Sequence, residues 1–202
     1  KGGKLLQEVL LILLCYLIGS IPFSYIVSRY MGGMDIRSKG SGNVGATNVL
    51  RNLGLKIALV AFALDLLKGF TAAWIGFAFG GPVVIFLCPV AAMIGHCYPV
   101  FLKFKGGKAV ATIAGIVLYT NPIIFIILVL AFAAVVLISR YVSLGSLVVA
   151  CSLPFLGILL DPDITIILLY FFAASLVIYK HKENIERLRK GTESKISSSM
   201  IR

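Results

Sequence analysis

Three clusters in this chain gather the residue types that hold anions. The first is Ser38-Lys-Gly-Ser-Gly-Asn-Val-Gly-Ala-Thr-Asn48, with Arg51 one turn further on. Glycines let successive backbone N–H groups turn toward a bound anion, and a helix starting behind them adds its positive dipole end. Ser41, Asn43, Thr47 and Asn48 supply hydroxyl and amide partners, and the Arg51 guanidinium can fork onto a phosphate. Gly40 to Gly45 also spells G-x-G-x-x-G. No strand precedes it and no parallel α/β unit surrounds it, so the dinucleotide reading fails. A plain interhelical connector would not need two Asn, a Thr and an Arg at this density.

The second cluster is Gly95-His-Cys-Tyr-Pro-Val-Phe-Leu-Lys-Phe-Lys-Gly-Gly-Lys108. It lacks Walker A spacing. Even so, Lys105, Gly106, Gly107 and Lys108 offer two ammonium groups and flexible amides to a phosphate. Lys103 reads as a headgroup anchor, and His96 as a packed, hydrogen-bonded histidine. The third cluster joins Arg140, Tyr141 and Ser143 to His181, Glu183, Asn184, Arg187, Gly191 and Glu193. On a helix, His181, Asn184 and Arg187 share one face, while Ile185 and Leu188 lie toward the membrane as in a surface helix. Lys190, Lys195 and Arg202 read as a solvated basic tail. Asp65 and Lys68, inside an apolar segment, stand at i, i+3 and can pair. A functional role and a structural one are evenly balanced for them.

The elements that must position these clusters are membrane helices. The 202 residues are 59% hydrophobic and 13% charged, with a mean hydropathy of +1.01, more apolar surface than a soluble domain of this size can bury. The net charge of +11 sits beside apolar spans, which argues for topology and anionic headgroups and against nucleic acid. The chain is expected to be an all-α integral membrane protein: a single membrane domain, 1–202, with seven transmembrane helices at about 6–28, 57–79, 82–102, 109–120, 122–138, 142–160 and 163–179. The fourth is short for a bilayer and must recruit flanking residues, thin the membrane or be partly re-entrant. Motif-bearing loops then fall at 32–56 and 103–108, with a tail at 180–202. Lys and Arg divide sixteen to two between the faces. The N-terminus is therefore expected outside and the C-terminus, with all three clusters, on the cytoplasmic side. The four cysteines, Cys15, Cys88, Cys97 and Cys151, show no paired ligand spacing and read as small apolar residues, so no metal is expected.

Taken together, the clusters resemble the bacterial acylphosphate:glycerol-3-phosphate acyltransferase family. Its signatures are Ser-Gly-Asn-x-Gly-Ala-Thr-Asn-x-x-Arg, Gly-His-x-x-Pro-x-Phe-x-x-Phe-Lys-Gly-Gly-Lys and Glu-Asn-x-x-Arg-x-x-x-Gly-x-Glu. They stand here in order as Ser41 to Arg51, Gly95 to Lys108 and Glu183 to Glu193, with no departure at the polar positions. The resemblance implies transfer of a fatty acyl group from acyl phosphate to glycerol 3-phosphate in the bacterial inner membrane, giving lysophosphatidate and phosphate for phospholipid synthesis. It implies no cofactor. The partners would be the two substrates, membrane lipid and an enzyme that supplies the acyl phosphate. Thioester-dependent acyltransferases carry His-x-x-x-x-Asp, and neither His96 nor His181 has Asp at that position.

A mixed anhydride needs no enzyme nucleophile; the hard tasks are holding two anions together and aligning a hydroxyl with a carbonyl carbon. On this reading Ser41, Arg51, Lys108, Ser143, His181 and Asn184 hold glycerol 3-phosphate. Gly42, Asn43, Gly45, Thr47, Asn48, Lys105, Gly106 and Gly107 shape the donor phosphate pocket. Arg51 and Lys108 carry the electrostatic part of catalysis. The base is either His181 or a donor phosphate oxygen, with the latter favoured because no base–orienter pair is evident. The rival class is a transporter of a phosphorylated metabolite, which would place its site at the midplane in broken helices.

Overall fold

Proline and glycine set the helix boundaries in the computed structural model, which describes residues 2–196. Lys1 and the end of the expected tail, 197–202 with Arg202, lie outside the described residues. The first expected span divides into α1 (Gly2–Ser20) and α2 (Phe23–Gly32). Pro22 has no N–H and its ring clashes with the turn before it, so the helical ladder stops there. Lys68 answers the break by donating to the Ile21 carbonyl at 2.9 Å. The two pieces still make one apolar unit of 31 residues, Gly2–Gly32.

The first connection is not an open loop. It contains a 3₁₀ turn, Ile36–Ser38, and a short amphipathic helix, α3 (Ala46–Leu53), whose Val49 is buried against α4 (Leu55–Phe79). The chain continues through α5 (Pro82–Cys97), α6 (Val110–Thr120), α7 (Pro122–Ser139), α8 (Val142–Leu160), α9 (Ile164–Lys180) and α10 (Lys182–Arg189). α1 packs on α5, α5 on α4, and α4 on α6, while α7, α8 and α9 form a second layer joined to the first through α5–α9 and α6–α7. Small residues allow the tightest crossing. A Cβ on Gly69 or Gly115 would lie 1.9 Å from a carbonyl of the facing helix, so α4 and α6 meet backbone to backbone.

Five helical stretches among the described residues are long and apolar enough to cross a membrane, six if α9 and α10, bent by 58° at His181, form one span. α6, with 11 residues, reaches only about 16 Å against a hydrocarbon core of about 30 Å. The expectation of seven spans depends on counting it. The stretch before it, 98–109, is largely irregular and caps the end of the bundle. Non-helical backbone survives at such depth only where it is buried in protein or lines a cavity.

Candidate active site

The ends of the helices enclose a cavity of about 360 Å³. Its walls come from the starts of α3, α4, α6 and α8, the end of α7, and the turn between α9 and α10. The lining is part polar and part apolar, the apolar part including Leu55, Leu59, Phe62, Phe132 and Val136.

The first loop is folded around Asn48, which is 1% exposed. Its Nδ2 donates to the carbonyls of Ile36, Lys39 and Asn43 at 3.0–3.1 Å, and its Oδ1 accepts from the Ser41 N–H at 3.2 Å. Gly40 (φ +56°) lets the chain turn onto that side chain; a Cβ there would meet Asn48 Oδ1 at 2.3 Å. Asn48 is thus a brace whose polar atoms are committed to the loop. Bracing turns Ser41, Asn43, Gly45 and Thr47 toward the cavity at the α3 N-terminus, and places Arg51 one turn later on the same helix. Arg51 donates to the Ser194 carbonyl at 3.0 Å, while its Nε is buried with no hydrogen-bond partner. A guanidinium left with a dry, unused N–H is suited to an incoming oxygen.

The Gly-Gly pair of the second cluster behaves differently. The Gly106 N–H donates to the Cys97 carbonyl at 3.2 Å and the Gly107 N–H to the His96 carbonyl at 3.0 Å. Those amides are spent on folding the segment back over the end of α5. The segment delivers Lys108, whose Nζ donates to Asn184 Oδ1. Lys105 is exposed.

The third cluster closes through the tail. Gly191 (φ +68°) reverses the chain after α10, and Glu193 returns beneath the helix. Its Oε1 accepts from Ser143 Oγ at 2.9 Å and Asn184 Nδ2 at 2.8 Å, and its Oε2 from Arg187 Nε at 2.7 Å. Arg51 stands 3.8 Å from the same carboxylate. The Ile196 N–H straps the tail to the Arg140 carbonyl at 2.9 Å.

Electrostatics follow from this packing. Burial, then the Arg187 charge, pull the Lys108 ammonium down to about 8, with Glu193 partly opposing them. Burial, then Lys108, push His181 down to about 4. His181 Nδ1 donates to the Val177 carbonyl at 2.8 Å, because a carbonyl can only accept; burial and Lys108 favour the neutral ring, whose lone pair is then on Nε2. Burial raises the Glu193 carboxyl, but its bonds from Arg187, Asn184 and Ser143 outweigh that and hold it below the usual carboxylate range.

Ten expected residues from four stretches of sequence therefore line one cavity: Ser41, Asn43, Gly45, Thr47, Asn48, Arg51, Lys108, Ser143, His181 and Asn184. Gly42, Lys105, Gly106 and Gly107 do not line it. Gly42 turns the loop, with its N–H on the Lys39 carbonyl at 3.0 Å, and Gly106 and Gly107 fold the Lys108 segment. Sequence reasoning left out Arg187 and Glu193 as site residues, although a carboxylate six residues after an arginine in a basic tail was a visible signal. Asp65, evenly balanced between a functional and a structural role by sequence, and His96, read there as a packed histidine, both line the cavity.

Fold and site define a class: a multi-pass helical membrane protein whose cavity is lined by both cationic or polar and apolar side chains. The comparisons narrow that class. The family model described as glycerol-3-phosphate acyltransferase matches residues 9–191. A glycerol-3-phosphate acyltransferase of Syntrophomonas wolfei subsp. wolfei is 52% identical over 192 residues, covering 95% of this chain and 98% of that one. Glycerol-3-phosphate acyltransferase 2 of Moorella thermoacetica is 48% identical, covering 93% and 97%. Among solved structures, the glycerol 3-phosphate form of PlsY (YgiH), an integral membrane glycerol 3-phosphate acyltransferase, aligns with TM-score 0.89 at 37% identity over 96% of this chain and 97% of that one. Its lysophosphatidic acid form aligns with TM-score 0.88 at 36% identity, with the same coverage. The chain belongs to the glycerol-3-phosphate acyltransferase family and is a membrane-embedded acyltransferase.

Proposed function

We propose that this protein transfers a fatty acyl group from acyl phosphate to glycerol 3-phosphate, releasing 1-acyl-glycerol 3-phosphate and phosphate for phospholipid synthesis. The observation that carries the reading is the mixed lining of the cavity: its polar residues suit two phosphates, and its apolar ones suit a hydrocarbon chain. The acceptor hydroxyl oxygen bonds to the carbonyl carbon, the bond from that carbon to the phosphate oxygen breaks, and the hydroxyl proton passes to the departing phosphate. Arg51 and Lys108 offset the repulsion between the two anions, and Ser41 adds a hydroxyl. Asn43, Gly45, Thr47 and the α3 N-terminus face the donor phosphate. Ser143 and Asn184 act at the Glu193 edge of the acceptor site. His181, neutral and about 4 in pKa, orients the acceptor hydroxyl through Nε2 and is too weak a base to hold its proton at neutral pH. That favours a donor phosphate oxygen as the proton acceptor.

The charge bias puts this cavity at the cytoplasmic surface of the inner membrane, with α6 as the short seventh crossing and the N-terminus outside. There it can meet a soluble acceptor and a donor supplied by another enzyme. The test is phosphate release by the purified protein from palmitoyl phosphate, with and without glycerol 3-phosphate, and with palmitoyl-CoA as a parallel donor. Acceptor-dependent release with equimolar lysophosphatidate supports the reaction. Turnover of the thioester instead overturns the donor assignment.

A further inference from the structure

Beneath the cavity, five buried polar side chains from four helices meet: Ser24 of α2, Asp65 and Lys68 of α4, His96 of α5 and Thr112 of α6. Ser24 Oγ donates to Asp65 Oδ2 at 2.8 Å, and Lys68 Nζ stands 2.8 Å from Asp65 Oδ1. His96 Nδ1 lies 3.2 Å from Thr112 Oγ1 and 3.6 Å from Asp65 Oδ1. The far edge of the ring is covered. A Cβ on Gly107 would lie 2.2 Å from His96 Nε2 and 2.6 Å from the Val44 carbonyl, so only glycine fits between ring and first loop. The next residue is Lys108. Beyond it, Ala109 is fully buried at φ +60°, a left-handed conformation that a side chain adopts only when its surroundings impose it.

We propose that His96, held by Thr112, is a positioning residue that sets the place of the Lys108 ammonium in the cavity. The ring lies at the inner end of the cavity with Gly107 against its Nε2 edge. Its influence passes through the main chain: the His96 carbonyl takes the Gly107 N–H, the ring supports the Gly107 Cα, and Lys108 leaves that platform toward Asn184. Buried polar groups in a membrane bundle are costly, and an apolar core would hold the helices as well. Their arrangement fixes one ring orientation, which an apolar cluster would not. The inference rests on the acyl-transfer reading given above.

The experiment is a double-mutant cycle on kcat/KM for glycerol 3-phosphate, in full-length protein with palmitoyl phosphate as donor. H96A is expected to lose about 100-fold, the usual result of displacing a catalytic group by about 1 Å. T112V, which keeps the shape and removes one hydrogen bond to the ring, is expected to lose about 10-fold. In a K108A background both losses should shrink to within about 2-fold, because the group being positioned is gone. Equal losses in both backgrounds, or a T112V enzyme as active as wild type, overturn the proposal. T112V decides the matter even if H96A does not fold. A wild type silent with acyl phosphate would sink the reaction assignment and this inference together, whereas an active wild type with an additive cycle sinks this inference alone.

Discussion

Two buried carboxylates in this protein are paired with cations in different numbers, and they do opposite things. Asp65 lies between α2, α4 and α5 with Lys68 as its one close full-time cation; ammonium and carboxylate balance, and the remaining bonds come from neighbouring side chains and a backbone carbonyl. Glu193 lies at the cavity wall with Arg51 and Arg187 on its carboxylate and Lys108 beyond Asn184. One negative charge there faces three positive ones. A balanced cluster carries no surplus charge for a ligand to neutralise and braces what rests on it. A cluster with cations in excess is stabilised by an added anion, and for a substrate carrying phosphate that excess becomes binding energy.

The largest test of this contrast is at the excess cations. R51A and K108A are each expected to lower kcat/KM for glycerol 3-phosphate by about 100- to 1000-fold in the phosphate-release assay. R51K should recover only part of this, because a point charge does not replace a fork. An R51A enzyme with ordinary kinetics would mean that the surplus charge serves topology alone. For the balanced cluster the main expected effect is on stability. K68M leaves the Asp65 carboxylate buried without its cation and should cost about 3–5 kcal/mol, and the D65N/K68M double variant should recover most of it. Thermal unfolding in detergent reads both. If K68M instead raised KM for the acceptor with an unchanged Tm, the two clusters would be of one kind.

A pH profile sharpens the comparison. In the free enzyme Lys108 loses its charge at about 8, so kcat/KM for the acceptor should fall on an alkaline limb near that pH. K108R should carry the limb upward and out of range. Stability responds in the opposite sense. Lys108 is held below its unfolded value, so the unfolded chain binds more protons between the two, and stability rises with pH across that window. The smallest expected effect is at Lys105. It is exposed and outside the cavity, and K105A should stay within about 3-fold of wild type, although the sequence alone made it a substrate-binding residue.

Membrane class, the helical elements and the three anion-holding clusters were legible in the sequence. Hydropathy is set by composition, and the motifs are local runs whose residue types state their chemistry. Ten of the expected site residues converge because the clusters sit at helix ends that close on one cavity. What the tertiary structure decided is which polar groups are available. Asn48 reads as a ligand from its type, yet three carbonyls claim its amide. Gly106 and Gly107 read as a phosphate cradle, yet their N–H groups are spent on α5 carbonyls. The pairing of Lys68 with Asp65 is legible from their i, i+3 spacing, yet only the fold shows that the Ile21 carbonyl beside Pro22 takes the same ammonium. The sequence determines how many donors and acceptors this chain carries and near which membrane face they fall. Only packing decides which of them already have partners, because a hydrogen bond is used up by whatever the fold brings within about 3 Å.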